Sequence, residues 1–421
     1  FLTGRYPRTA RNRQNGADIP DTEVLVTRML ADAGYTCGLS GKLHLSACNP
    51  AVCKTMERRI NDGYSEFHWS HDTGTGWGDH NEYVAWLTEK GATLETPTHP
   101  ECEHVCTGMP ADRHQTTWCA EKAIDFMKKR ADDEKPWLFS VNIFDPHHAF
   151  DPPPEYLARY VDDLDAIPLP NYVEGELNNK PPVQKKDHQG AYGNAGSLAH
   201  DTMTEHDHRM IRAAYWAMCD LIDDQVGRML AALDEHGMRE NTIVIFNSDH
   251  GEMLGDHGIY LKGPYFYDCA VRVPLIMSMP ATIKAQRVQA LVELIDLPQT
   301  LLDACGIDHH PGMQGKSLWP ILTGKSESHH RDDVYCEYYN AMACHKEPTS
   351  QFTMVRTAQH KLVVDHGNNT GELYDLEKDP SENTNLWDDP TYAETKTAML
   401  LRMAHRMAFT VDPLPLRQSY W

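Results

Sequence analysis

Three nearly continuous apolar runs constrain this chain more than any other feature. They are WLFSVNIF (137–144), TIVIF (242–246) and VRVPLIM (271–277). Runs of this length without polar alternation are the pattern of strands buried on both faces of a parallel sheet. Helical patterns separate them. Residues 115–131 and 206–236 carry apolar residues at helical spacing, and Gly237 closes the longer segment. Residues 22–34 read as a further amphipathic helix stopped by Gly34, followed by a short β-like run at 35–39. A further helical region, interrupted by Pro298, spans 291–306. Helix and buried strand in alternation predict an α/β fold with a mostly parallel sheet flanked by helices.

The remaining segments differ in kind. Residues 61–113 and 152–204 are rich in Gly, Pro, His, Asp and Asn and read as long irregular loops that shape a binding site. The C-terminal part, with FTMVRTAQHKLVVDH (352–366), GELYDLEKD (371–379) and a helix near 391–408, reads as antiparallel strands plus a helix. The expected division is an α/β domain over 1–329 and a smaller α+β subdomain over 330–421.

Charge narrows the function. The net charge is -22, from 61 acidic and 39 basic residues. Nucleic-acid binding needs a basic footprint, so DNA and RNA are excluded as expected partners. An anionic ester substrate would require a local cluster of cations or a metal ion to invert the field. No stretch of 18 apolar residues is present, so no membrane span is expected. The 11 cysteines include no CxxC pair of the structural-zinc type, and their number does not fix a redox compartment.

Ligands of open α/β sheets bind beyond the carboxyl ends of the strands. Polar clusters lie at those ends. Lys42 and His44 follow the run at 35–39, Asp145-Pro-His147-His148 follows 137–144, and Asn247-Ser-Asp249-His250-Gly251 follows 242–246. Asp249 and His250 are candidate metal ligands, because a carboxylate suits hard cations and an imidazole tolerates several metals. Lys262, in YLKGPYFYD, is a further candidate cation. Each is unremarkable alone, and only the constellation carries weight.

The order TGRYP, GKLH, DPHHAFDPP, NSDHGEMLGDHG, LKGPYFYD, VRVPLI and ELYDLEKDPSENTNL, running from residue 1 to about 390, resembles the type I, formylglycine-dependent sulfatases of the alkaline phosphatase superfamily. The resemblance implies an alkaline-phosphatase-like α/β domain and a C-terminal domain with a four-stranded antiparallel sheet. It implies hydrolysis of a sulfated sugar or small sulfate ester. Lys42 and His44 would lie beside the nucleophile and the sulfate, His147 would contact the sulfate or the leaving oxygen, and Lys262 would bind sulfate. The catalytic set is thus His44, His147 and Lys42. Asp249 and His250 would hold a calcium ion. Ala149 replaces the proline usual after the histidines, and His257 matches a position near the site without a defined role.

The family's formylglycine arises in a Cys/Ser-x-Pro-Ser/Ala-Arg motif just before the segment matched by Phe1–Arg5. That motif is absent from the 421 residues. The expectation is therefore an N-terminally truncated chain that lacks the nucleophile, further metal ligands and a central strand, and is inactive by itself. A phosphonate monoester or phosphodiester hydrolase of the same superfamily, and a non-catalytic glycan-binding relative, are the alternatives; the GKLH motif favours the sulfatase. The family setting favours a periplasmic or extracellular location. Trp69, Trp77, His71 and His80 are weighed both as sugar-binding residues and as loop packing.

Overall fold

The computed structural model describes residues 1–326, 329–346 and 349–419. Its first sheet is parallel. Strands β1 (Thr36–Gly41), β2 (Tyr64–Trp69) and β5 (Trp137–Asn142) pair in the order β2-β1-β5, with Thr36 opposite Trp137 and Gly41 opposite Asn142. A two-stranded ribbon of β3 (Thr98–His99) and β4 (Cys102–Cys106) lies beside it in sequence. Strands β6 (Val244–Asn247) and β7 (Leu275–Ser278) form a separate antiparallel pair. The C-terminal sheet is antiparallel, ordered β11-β10-β9-β8 from β8 (Val334–Tyr339), β9 (Gln351–Arg356), β10 (His360–Asp365) and β11 (Thr370–Asp375). This is the expected α/β architecture with a parallel sheet and a C-terminal antiparallel sheet.

The helices follow the apolar spacing. Gln115–Arg130 buries Trp118, Ala123 and Phe126, and Phe126 meets Trp137 of β5 edge-on and Phe139 at a tilt. The 31-residue helix Glu205–Glu235 starts at a capping box. The Thr204 hydroxyl accepts from the Asp207 N–H, and the Asp207 carboxylate accepts from the Thr204 N–H. Its buried face, including Met210, Ala214, Met218 and Leu221, packs against Phe150, Tyr260 and the helix Pro154–Val161.

Three expectations are corrected. Residues 61–113 are not an irregular insertion, since they contain β2, the helix Glu82–Glu89 and the β3–β4 ribbon. Residues 152–204 are not a bare loop, since they contain the helices Pro154–Val161 and Pro182–His188. Short elements dense in Gly, Pro and His show no measurable period, so their sequence reads as loop. Finally, β5, β6 and β7 are half-buried rather than buried on both faces, and Ile276 is 62% exposed. The reason is topological. β5 is an edge of its sheet, and β7 runs antiparallel to β6 instead of extending the parallel order.

The C-terminal sheet is tied to the loop that follows Lys262. Lys361 of β10 is fully buried, an arrangement that needs paired charges. Its ammonium donates to the Phe266 carbonyl at 2.7 Å and to Asp268 at 2.7 Å, and it pairs with Glu382 at 2.5 Å. Lys180 similarly donates to the Tyr374 hydroxyl and the Glu382 carbonyl.

Candidate active site

The ends of β1, β5 and β6 converge. Gly41 ends β1 at a φ of 100°, and a Cβ there would meet the Asn142 carbonyl oxygen at 2.0 Å, so glycine is required on both counts. This close approach lets the Lys42 N–H donate to the Asn142 carbonyl at 3.0 Å, while the Asn142 amide donates to the Lys42 carbonyl at 2.7 Å. The Lys42 side chain therefore emerges beside the loop that follows β5. Its ammonium lies 5.9 Å from the Phe144 ring centroid and 3.9 Å from Asp249 Oδ2.

His147 and Lys262 are the tightest pair of the site. The His147 Nδ1 lies 2.6 Å from the His148 carbonyl, so Nδ1 carries the proton and donates it there. The other ring nitrogen then accepts from the Lys262 ammonium at 2.5 Å. Burial, then the Lys262 charge, pushes the His147 pKa down to about 2, so the ring is neutral at pH 7. Burial also lowers Lys262, and the buried Glu252 opposes that shift. Glu252, itself raised by burial, accepts from the Leu254 and Leu261 N–H groups.

Asp249 and His250 sit across from them. The His250 Nδ1 donates to the Gly251 carbonyl at 2.8 Å, which leaves the Nε2 lone pair facing Asp249 Oδ2 at 3.7 Å. Burial raises the Asp249 carboxyl, but His250, Lys42 and Lys262 together outweigh it and hold the group below the ordinary range. Part of that side chain, 63% by area, remains open to solvent. A carboxylate and an imidazole fixed in its tautomer by a backbone carbonyl are a fitting pair of cation donors. They supply two donors, not a complete shell.

His44 stands at the other flank. Its backbone N–H is anchored by Glu57 at 2.7 Å, and its ring meets His71 edge-on at 4.8 Å. Burial, then Lys42, lowers His44 to about 4. The structure thus brings Lys42, His147, Lys262, Asp249 and His250 together, with His44 adjoining through the charges of Lys42 and Asp249. His148, named in the polar cluster after 137–144 but given no role, stacks on His147 at 4.2 Å, and sequence reasoning missed Tyr192, whose ring faces Lys262 at 5.8 Å. His148 was visible as the neighbour of His147. Tyr192 reaches the site only through tertiary packing, whereas Glu252 lies two residues after His250 in NSDHGEMLGDHG.

The aromatic residues weighed for sugar binding do other work. Trp69 and Trp77 are buried against each other at 5.2 Å, and their indole N–H groups donate to Glu57 and to the Cys53 carbonyl. They pack the loop. His80 is exposed. His257 is buried, stacked on Tyr267 and bonded to Glu176 at 3.0 Å, which is a packing role.

A cluster of cations at the strand ends of an α/β fold, beside a carboxylate–imidazole pair, is an arrangement that can bind an anionic group. The chain matches the family model "Sulfatase" over residues 1–307 and "N-sulphoglucosamine sulphohydrolase, C-terminal" over 255–408. It belongs to the sulfatase family. Among curated relatives, it is similar to an arylsulfatase of Clostridium perfringens, 27% identical over 88% of this chain and 75% of that protein. It is also similar to an N-acetylglucosamine-6-O-sulfatase of Bacteroides thetaiotaomicron, 24% identical over 95% of this chain and 75% of that protein. In fold it superposes on a phosphonate monoester hydrolase from Silicibacter pomeroyi with a TM-score of 0.83 at 22% identity, covering 98% of this chain and 85% of that one. Family membership assigns the chain to sulfate-ester hydrolysis. No helix among the described residues is long and apolar enough to cross a membrane.

Proposed function

We propose that this site removes sulfate from a sulfated sugar, with Lys42, His147 and Lys262 on the sulfate, His44 beside the reacting centre, and Asp249 and His250 on a calcium ion. The observation that carries the reading is the Lys262–His147 bond next to Lys42 and Asp249, which places the cations a sulfate needs inside a protein of charge -22. The named sugar sulfatase among the relatives supports the substrate class.

The chemistry follows from these contacts. Charge develops on the equatorial and leaving oxygens as the S–O bond breaks, and fixed donors in a partly dry pocket stabilise it. When bound, the divalent cation supplies Lewis acidity and neutralises sulfate charge. Lys42 and Lys262 orient the sulfate. His147 is neutral and already accepts from Lys262, so the mobile proton of this pair resides on the lysine. Delivery to the departing alcohol runs from the Lys262 ammonium, which is left as a neutral amine. The nucleophile proposed from the family resemblance is a formylglycine, and its Cys/Ser-x-Pro-Ser/Ala-Arg motif does not occur in these 421 residues.

The test compares 6-sulfated N-acetylglucosamine, an aryl sulfate and a phenyl phosphonate as substrates for a chain that carries the nucleophile motif. Preference for the sugar sulfate is expected. Preference for the phosphonate would replace this reading with the monoester-hydrolase alternative, which the fold neighbour supports.

A further inference from the structure

Behind the loop that carries His147 lies a buried polar cluster that the proposed reaction does not use. His114, Asp145 and Asp151 are 2%, 6% and 3% exposed, and one nitrogen or oxygen from each lies within 4.8 Å of the others. They come from three places: the residue capping the helix Gln115–Arg130, the first residue after FSVNIF, and the start of DPPP. Asp145 Oδ2 accepts from the Thr116 hydroxyl at 2.6 Å and lies 3.4 Å from His114 Nδ1. Asp151 Oδ2 accepts from the Thr73 hydroxyl at 3.5 Å. The Oδ1 atoms of both aspartates are buried and have no hydrogen-bond partner. An orphaned buried carboxylate oxygen is costly, and here there are two in one cluster.

We propose that His114, Asp145 and Asp151 form a second divalent-cation site, distinct from Asp249 and His250, that clamps both ends of the His147 loop. Two carboxylates and one imidazole carry two negative charges, which one dication neutralises. Ligand atoms around one cation sit ~3–5 Å apart, the spacing seen. Two carboxylates with one imidazole form a donor set that zinc or manganese accepts. The cost is one weak contact, the 3.3 Å bond from the Thr116 N–H to His114 Nδ1, which coordination would replace. The three-donor group Cys48, Glu57 and His71 makes a poorer site, because Glu57 is already saturated by the His44, Leu45 and Ser46 N–H groups and the Trp69 indole.

The test is a metal count on Asp249→Asn protein, which removes the proposed catalytic cation from the tally and leaves this inference independent of that reading. After loading with Zn2+ or Mn2+ and desalting, mass spectrometry of the metal is expected to find about one ion per chain, with a rise in Tm on loading. Adding Asp151→Asn or His114→Gln should abolish both. If the Asp249→Asn protein holds no more metal than the Asp249→Asn/Asp151→Asn protein, the site is a proton-sharing carboxyl pair and the proposal fails. Should the double variants not fold, the Asp249→Asn protein decides alone: a Tm unmoved by Zn2+, Mn2+ and chelator overturns the proposal, and a chelator-reversible rise upholds it.

Discussion

The two sheet systems of this molecule are built to opposite specifications. In the C-terminal sheet, Phe352, Val355, Leu362 and Leu373 are completely buried. All four strands form one continuous ladder, and Lys361 and Lys180 bolt it to the loops around it. In β5 to β7, of which β5 and β6 lead into His147 and Asp249, no residue is fully buried, and Phe246 and Ile276 face outward; β1, which leads into Lys42, is buried like the C-terminal strands. The more apolar sequence thus belongs to the less buried strands. Burial is set by how many neighbours a strand acquires, and apolar content only makes burial favourable. The C-terminal sheet holds the loop that follows Lys262, and the open strands β5 and β6 present His147, Asp249 and His250 beyond their ends.

Replacements in the two sheets should separate them most sharply. Phe352→Ala should cost ~3–5 kcal/mol of unfolding free energy, as for a fully buried phenylalanine. Phe246→Ala should cost ~1 kcal/mol or less, because its ring is already partly in water. Urea melts of both decide; equal losses would mean that the site strands are as tightly packed as the C-terminal ones.

Next in size, Lys262→Ala should lower kcat/KM for a sulfate ester by ~10²–10³, the loss expected for one fixed donor to a developing oxyanion. Its Tm should hardly change. In the unaltered protein, activity should fall as pH rises through the lowered Lys262 pKa, earlier than the value of 10.5 for a free lysine, because the deprotonated amine can neither pair with sulfate nor give up a proton. A pH profile flat to 10.5 would sink that assignment.

Acid should also distinguish the regions. Burial lowers His44 to about 4, His71 to about 3, His147 to about 2 and His148 to about 4, all from 6.5. Their folded-state pKa values lie below the unfolded one, so below pH 6.5 the unfolded chain binds protons that the folded chain refuses. Stability is then highest above 6.5 and falls as pH drops toward 4. Hydrogen exchange at pH 5 should show loosening around residues 42–71 and 144–150 before β9 to β11. Loss of protection in the C-terminal strands first would break the comparison. Smallest of all, Ile276→Thr should shift stability by no more than ~0.5 kcal/mol, since the position is exposed.

Much of the site was legible because its residues sit next to strong local signals. Lys42, His147, Asp249 and His250 each follow a recognisable apolar run, and the rule that ligands bind beyond strand ends joins them before any coordinates exist. Lys262 was reached through the motif around it. Glu252, Tyr192 and the His114–Asp145–Asp151 cluster were not read as parts of a site. Glu252 matters because a buried lysine stands near it, and His114 matters because a loop 30 residues later returns to it. The short elements inside 61–113 and 152–204 were hidden for another reason, since seven or eight residues do not establish a period.

The sequence by itself determined the fold class, the family and the strand ends at which the chemistry gathers, because periodicity, turn residues and short motifs are local properties. The tertiary structure alone decided that the His147 proton faces a carbonyl while Lys262 holds the mobile one, that Trp69 and Trp77 pack instead of lining a sugar site, and that the apolar strands β5 to β7 stay half-open. Each of these depends on which groups share a low-dielectric space, and distance along the chain carries no information about that.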